Sequence, residues 1–369
     1  MDGVRGVAIL LVLVHHFVVY SGLIPSGGID LAVYLLGAGA WIGVDVFFVL
    51  SGFLITGILY DSRSSPVFFR TFYIRRILRI FPLYYGVLAV VFLAPRLIGT
   101  PLLGMTPSGQ FWYWAYLSNV DVARNGWHEP LQIAHFWSLA VEEQFYVMWP
   151  VVVFAFGRRR LLQIAGTALG AALLLRLVAP LWLGPLSAYT LMPMRMDALA
   201  AGACVALLAR GPASWDVFGR WPGRALVAAT VGLAAICVWR RGFGALDPVV
   251  RTVGYSLNAI GAASLIPIAM RASPESPLRR VLASSALVTL GKYSYGLYVF
   301  HHIVVLTLRA RGFQVWRFPL LWGSHLPGWL AFTVVAMAIS SALAWLSWHL
   351  WETPFLKLKR YVPYRSTAI

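Results

Sequence analysis

Ten times along this chain the sequence runs for some twenty residues with few charges, at about 6–24, 38–60, 77–95, 135–156, 161–183, 190–209, 224–240, 252–270, 286–308 and 328–350. A helix needs ~20 apolar residues to cross a hydrocarbon core ~30 Å thick. In lipid each segment must satisfy its own backbone polar groups, which leaves helices as the solution for separate apolar runs. The expected fold class is therefore all-α: a polytopic integral membrane protein with about ten transmembrane helices. With 60% hydrophobic and only 12% charged residues, a soluble domain of 369 residues is excluded. The net charge of +17 does not point to nucleic acid, because the basic residues sit mostly in short runs between the apolar segments. Assigning the loops to alternate sides puts twenty of the thirty Lys and Arg on one side and ten on the other. That bias predicts both termini in the cytoplasm of a multi-pass membrane protein. Cys204 and Cys237 fall in apolar segments and are expected to be reduced packing residues.

The first segment carries the sharpest functional signal. Arg5 opens an almost wholly apolar helix and His16 interrupts it eleven residues later. At 1.5 Å per residue the two lie ~16 Å apart along the axis, and eleven steps of about 100° return to nearly the same face. An Arg at one interface thus places His16 near the midplane, where an ionisable group is a functional candidate. The segment has neither a basic leader nor a small-residue cleavage site, so no cleavable signal is expected.

Further polar residues recur inside the apolar segments. The second holds GVDVFFVLSGFLIT, where Gly43, Gly52 and Gly57 permit close helix approach. Asp45 there is a candidate to fix a histidine tautomer or line an acceptor entry, and Ser51 is a candidate supporting residue. FYIRRILRIFPLYY places Arg75 and Arg79 on one helical face with Arg76 beside them, ahead of Pro82, which is expected to kink or restart the helix. Such a face suits phosphates, which guanidinium groups hold bidentately, so a phosphorylated cofactor from the cytosol is the expected ligand. In HFWSLAVEEQFYVMWP, His135, Ser138, Glu142 and Tyr146 form one stripe and Glu143 points about 100° away. Two adjacent carboxylates inside a span are hard to account for as packing. Arg195 and Asp197 are expected to form an intramembrane ion pair. His301 and His302 lie in an apolar helix, and His349 and Glu352 share a face near the end of the last one. Nothing in these spacings supplies the close multi-ligand pattern of a metal site, and no metal is expected. The connection at about 96–134, rich in Trp112, Tyr113, Trp114 and Trp127, is long enough to act as a lid or sugar-stacking surface, although an interfacial aromatic belt explains it equally.

Taken together, these motifs resemble the membrane acyltransferase family 3, which includes bacterial O-acetylases of polysaccharides and antibiotics. Arg5 and His16 match its Arg-X10-His signature. GVDVFFVLSGFL, YIRRILRIFPLYY, WSLAVEEQFYVMWP, RMDALAAG, SYGLYVFHH and HLWETPF match further blocks in the family's order, over nearly the whole chain. The resemblance implies a ten-span domain in a bacterial inner or plasma membrane. It also implies a cytoplasmic acyl-CoA co-substrate, most simply acetyl-CoA, with no tightly bound cofactor. The acyl group would pass to a hydroxyl of a carbohydrate, glycolipid or glycosylated small molecule. His16 is carried over as the catalytic histidine and Arg5 as its functional partner, with Arg75, Arg79, Glu142, Glu143 and His301 as motif positions.

On this reading acyl-CoA docks on Arg75, Arg76 and Arg79, and His16 acts as general base or takes the acyl group as nucleophile. Glu142 orients His16 or takes up its proton. At ~16 Å from His16, Arg5 serves the donor entrance rather than the reacting carbonyl. Residues 1–352 are expected to form the membrane domain and 353–369 a short basic tail, and no appended soluble domain is expected to receive the acyl group. A homo-oligomer is left open. The rival class is a proton-coupled transporter or flippase with His16 and Glu142 as relay, which lacks the paired broken spans of an inverted repeat.

Overall fold

The computed structural model describes residues 1–23, 25, 27–97 and 107–364. Among these residues the regular structure is helical: α1 (Asp2–Val19), α2 (Gly28–Gly39), α3 (Gly43–Asp61), α4 (Phe68–Leu97), α5 (Pro107–Trp114), α6 (Ser118–Asn125), α7 (Trp137–Ala155), α8 (Arg158–Val178) and α9 (Pro180–Leu183). There follow α10 (Pro185–Thr190), α11 (Met192–Ala209), α12 (Trp221–Arg240), α13 (Tyr255–Arg271), α14 (Pro277–Leu282), α15 (Ser285–Lys292), α16 (Ser294–Ala310), α17 (Leu326–Leu346) and α18 (Thr353–Lys357).

Eight stretches among the described residues are long and apolar enough to cross a membrane, and the protein is a polytopic membrane protein. They coincide with eight of the ten expected spans. The other two fall on α7, whose Glu142, Glu143 and Gln144 dilute its apolar character, and on the 286–308 run. That run breaks at Tyr293 into the eight residues of α15 and the seventeen of α16. Pro82 neither restarts nor ends a helix, since α4 runs continuously through it. The Trp351 indole donates to the Pro82 carbonyl at 2.8 Å, and the Tyr295 hydroxyl donates to that of Ile80 at 2.7 Å.

Small residues set the packing. A Cβ on Gly52 of α3 would fall on the Leu199 carbonyl oxygen of α11, and one on Gly202 of α11 would fall on that of Val49 of α3. The two backbones therefore touch, as expected where van der Waals packing rather than hydrophobic burial drives association in lipid. The same holds for α1 against α15, where a Cβ on Gly6 would meet the Leu287 carbonyl and one on Gly291 that of Asp2. This contact fixes α1, the helix carrying Arg5 and His16, along its N-terminal half.

Buried ion pairs tie the rest together. The expected Arg195–Asp197 pair is not formed. Residues two apart on a helix point about 200° away from each other, so each of these reaches a different helix. Arg195 pairs with Asp45 of α3, which also accepts from Asn258 Nδ2 of α13 at 2.5 Å. Asp197 pairs with Arg176 of α8 at 2.8 Å, and Arg176 also donates to Ser256 Oγ at 2.6 Å. All four charged side chains are fully buried, which makes each costly to leave alone.

The expected lid is largely packed structure. Residues 98–106 lie outside the described residues, but beyond them α5 and α6 dock on the bundle. The Tyr84 hydroxyl donates to the Tyr113 carbonyl at 2.7 Å and the Tyr85 hydroxyl to that of Trp114 at 3.1 Å. Gln144 of α7 anchors the turn between these helices, donating to Asn119 Oδ1 at 2.8 Å and the Tyr116 carbonyl at 3.0 Å.

Candidate active site

A cavity of about 180 Å³ opens between α1, α3, α4, α7 and α16. Arg5, Arg76 and Arg79 line it, together with Glu142, Glu143, Ser51 and Tyr146. The three guanidinium groups come from two helices, Arg5 from α1 and Arg76 and Arg79 from α4, and Arg79 feels the charges of Arg5, Arg76 and Glu352. Arg76 lies over the Tyr146 ring at 5.6 Å, and Arg79 over that of Trp348 at 5.9 Å. Arg79 lines the cavity with its guanidinium over the Trp348 ring, which leaves N–H donors of its fork to face the cavity.

Of the four residues in the stripe that the periodicity predicts, His135 falls in the turn ahead of α7 and the other three lie on α7. Ser138, Glu142 and Tyr146 all face the cavity, and Glu143 reaches its wall as well. Ser51 Oγ of α3 donates to Glu142 Oε1 at 2.5 Å and lies 3.0 Å from the Tyr146 hydroxyl. Glu142 is thus held by a hydroxyl from another helix, with Arg76 and Arg5 as its nearby charges. Its partners among the described residues are Ser51, Tyr146 and these arginines rather than His16.

His16 does not line this cavity and belongs to a histidine cluster that meets Tyr298 through His135 and His301. Its Nδ1 donates to the Val12 carbonyl at 2.9 Å, one turn earlier on α1, so its Nε2 carries the free lone pair. Neither Asp45 nor Glu142 sets this tautomer; the main chain of its own helix does. Around His16 lie the rings of His301 at 4.6 Å between centroids, His302 at 4.9 Å, His15 at 5.0 Å and His135 at 6.3 Å. Tyr20 stacks on His16 at 5.5 Å.

Tyr298 belongs to both cavity and cluster, lining the one and touching the rings of His135 and His301 in the other. Its hydroxyl donates to the His135 carbonyl at 2.9 Å and bonds Ser138 Oγ. Its own carbonyl accepts from His135 Nε2 at 2.8 Å and from His301 Nδ1 at 2.7 Å. Sequence reasoning passed over Tyr298. Its signal was its place three residues before His301 on the same helical face.

The remaining candidates are distributed as follows. His135 sits in the short helical turn Leu131–Phe136 ahead of α7 and joins the histidine cluster rather than the cavity. Asp45 is occupied by Arg195 and Asn258, away from both. Arg75 is turned from the cavity and donates to the carbonyls of Lys359 at 3.0 Å and Val362 at 2.9 Å, with the Tyr364 ring beneath it at 4.9 Å. It latches the segment after Glu352 to α4. Glu352 lies in the wide helical turn Ser347–Glu352, buried, accepting from Ser347 Oγ at 3.0 Å and close enough to Arg79 for their charges to interact. His349 donates to the Trp345 carbonyl of its own helix.

Residues 1–346 match the model of a family described as an acyltransferase domain. Among curated relatives, the peptidoglycan O-acetyltransferase OatA of Listeria monocytogenes is 26% identical over 374 residues, covering 97% of this chain and 55% of the relative. The O-acetyltransferase OatA of Staphylococcus aureus is 27% identical over 383 residues, covering 97% and 57%. The putative peptidoglycan O-acetyltransferase YrhL of Bacillus subtilis is 29% identical over 375 residues, covering 96% and 54%. The chain thus spans a little over half the length of these relatives. No solved structure matches it.

Proposed function

The chain belongs to this acyltransferase family, and from that premise we propose that it moves an acyl group, acetyl in the first instance, from acyl-CoA to a hydroxyl of a carbohydrate. The observation that carries the reading is the juxtaposition of two compartments across Tyr298: a cavity with three guanidinium groups and two carboxylates, and a histidine of fixed tautomer beyond it. The cavity serves the donor. Arg5, Arg76 and Arg79 bind CoA phosphates, with the cytoplasm on their side of the membrane, and the thioester reaches past Ser138 and Tyr298 toward His16.

His16 Nε2 is the catalytic atom. As a base it takes the hydroxyl proton while the oxygen bonds the acyl carbon and the thiolate leaves; as a nucleophile it carries the acyl group first. Both routes need the tautomer that the Val12 carbonyl enforces. Glu142, fixed by Ser51, balances the guanidinium charge of the cavity. That the named relatives act on peptidoglycan makes a cell-wall glycan the first acceptor to try. Acyl chain length follows from what fills the cavity.

The test is incubation of purified protein with labelled acetyl-CoA, with and without peptidoglycan fragments. Label appearing as a base-labile ester on the glycan supports the reading. Intact acetyl-CoA in both arms, with binding demonstrated, sinks it.

A further inference from the structure

Four imidazoles surround His16, and the main chain assigns the protons of His16 and of three of them. His16 Nδ1 donates to the Val12 carbonyl, His15 Nδ1 to that of Gly37, and His301 Nδ1 and His135 Nε2 both to that of Tyr298. A neutral imidazole donates from one nitrogen and accepts at the other. Each of these four therefore keeps a lone pair on the nitrogen that remains. The remaining nitrogens of His135 and His301, and both of His302, are buried without a hydrogen bond to any described residue. Buried polar atoms are satisfied in the great majority of cases. Three neighbouring histidines with open nitrogens form a site short of protons.

An imidazolium created at His16 needs a partner in this apolar setting. A carboxylate fills that place in a Ser-His-Asp triad. Among the described residues the one histidine paired with a carboxylate is His128, at Asp121, outside the cluster. The titratable groups that do face the cluster are His15 and Tyr20 of α1, Tyr298 of α16 and Tyr189 of α10, with Glu142 of α7 across Tyr298 on the cavity side.

We propose that His301 and His302 are positioning residues that share with His16 the proton lifted from the acceptor hydroxyl, acting on the Nε2 side of the ring while the Val12 carbonyl holds Nδ1. This rests on His16 being the base. The O–H bond breaks and its proton goes to His16 Nε2, held jointly with the open nitrogens of His301 and His302, whose rings lie 4.6 and 4.9 Å from the His16 ring. The hydroxyl oxygen bonds the acyl carbon, and the C–S bond breaks with its electron pair on sulfur. The shared proton then passes to the thiolate of CoA, so the step closes without external acid.

His302 is the variant of choice because, unlike His16, His135 and His301, neither of its ring nitrogens is held by a carbonyl at hydrogen-bond geometry. In His302→Phe, kcat for acetyl transfer falls about 10- to 100-fold while the KM for acetyl-CoA stays within about twofold. The acidic limb of the kcat–pH profile moves to lower pH, since a lone imidazole holds its proton less tightly than a shared one. His302→Gln, whose amide oxygen accepts a hydrogen bond, recovers part of the rate. A wild-type kcat and unmoved limb in His302→Phe overturn the proposal while an inactive His16→Ala leaves the base intact. A fully active His16→Ala overturns the base and the sharing together. Acetyl-CoA binding reports folding of each preparation; where His302→Phe fails it, His302→Gln carries the comparison, and a wild-type profile there is equally fatal. A metal ion that copurifies at one per chain and is lost in His302→Phe also overturns it.

Discussion

Arg75 and Arg79 sit one helical turn apart and look equivalent in sequence, yet the structure gives them different tasks. Arg79 faces the cavity beside Arg5 and Arg76, while Arg75 is spent on the Lys359 and Val362 carbonyls. Removing Arg79 deletes one charge-assisted contact to a CoA phosphate, worth about 1.5–3 kcal/mol. At 1.4 kcal/mol per factor of ten that is about 10- to 150-fold in affinity. Arg5 and Arg76 remain to hold the same anion, which favours the lower part of that range. The Arg79→Ala variant is therefore expected to raise the dissociation constant and KM for acetyl-CoA by about 10- to 50-fold, with a smaller change in kcat. For Arg75→Ala the loss falls on the C-terminal segment, and the KM is expected to stay within about threefold. Isothermal titration of detergent-solubilised protein with acetyl-CoA, paired with initial rates, reads both. Equal weakening by the two substitutions, or none by Arg79→Ala, refutes the assignment.

Other expectations follow from the packing and the site. Asp45→Ala strands the Arg195 guanidinium in the bundle and costs about 3–5 kcal/mol, read as a large fall in Tm or in folded yield, whereas an unchanged Tm contradicts the buried pairing. Gly202→Val forces a side chain into the Val49 carbonyl and separates α3 from α11; size-exclusion chromatography should show loss of the folded monodisperse form, and normal behaviour is evidence against the close approach. Ser51→Ala removes the hydroxyl from Glu142 and leaves its carboxylate short of a donor, which is expected to lower kcat about tenfold with little effect on Tm; a wild-type rate excludes a role for that hydrogen bond.

Much of this architecture was legible because lipid imposes a simple rule on sequence. The apolar runs marked the spans, and the α7 periodicity placed Ser138, Glu142 and Tyr146 on one wall. Which helix meets which was not legible. Asp45, Arg195, Asp197 and Arg176 are each reasonable partners for one another along the chain, and only helix order in space decides that Arg195 takes Asp45 and Asp197 takes Arg176. Arg75 misled for a similar reason, since its partners are main-chain carbonyls nearly three hundred residues away, which carry no side-chain signal. The histidines were each visible as intruders in apolar helices. Their convergence depends on α1, α16 and the turn before α7 meeting, and Tyr298 was missed because a tyrosine in an apolar helix is ordinary. Asp45 and Glu142 were candidates to orient His16, whereas a carbonyl one turn away on the same helix holds its tautomer with no second helix at all.

The central claim is that His16 Nε2 carries the chemistry. The most direct measurement is the rate of label transfer from acetyl-CoA to a glycan hydroxyl by wild-type protein and by His16→Ala, in preparations matched for acetyl-CoA binding. The account predicts that His16→Ala binds the donor normally and transfers at least about 10²-fold more slowly. Transfer by His16→Ala at close to the wild-type rate contradicts it.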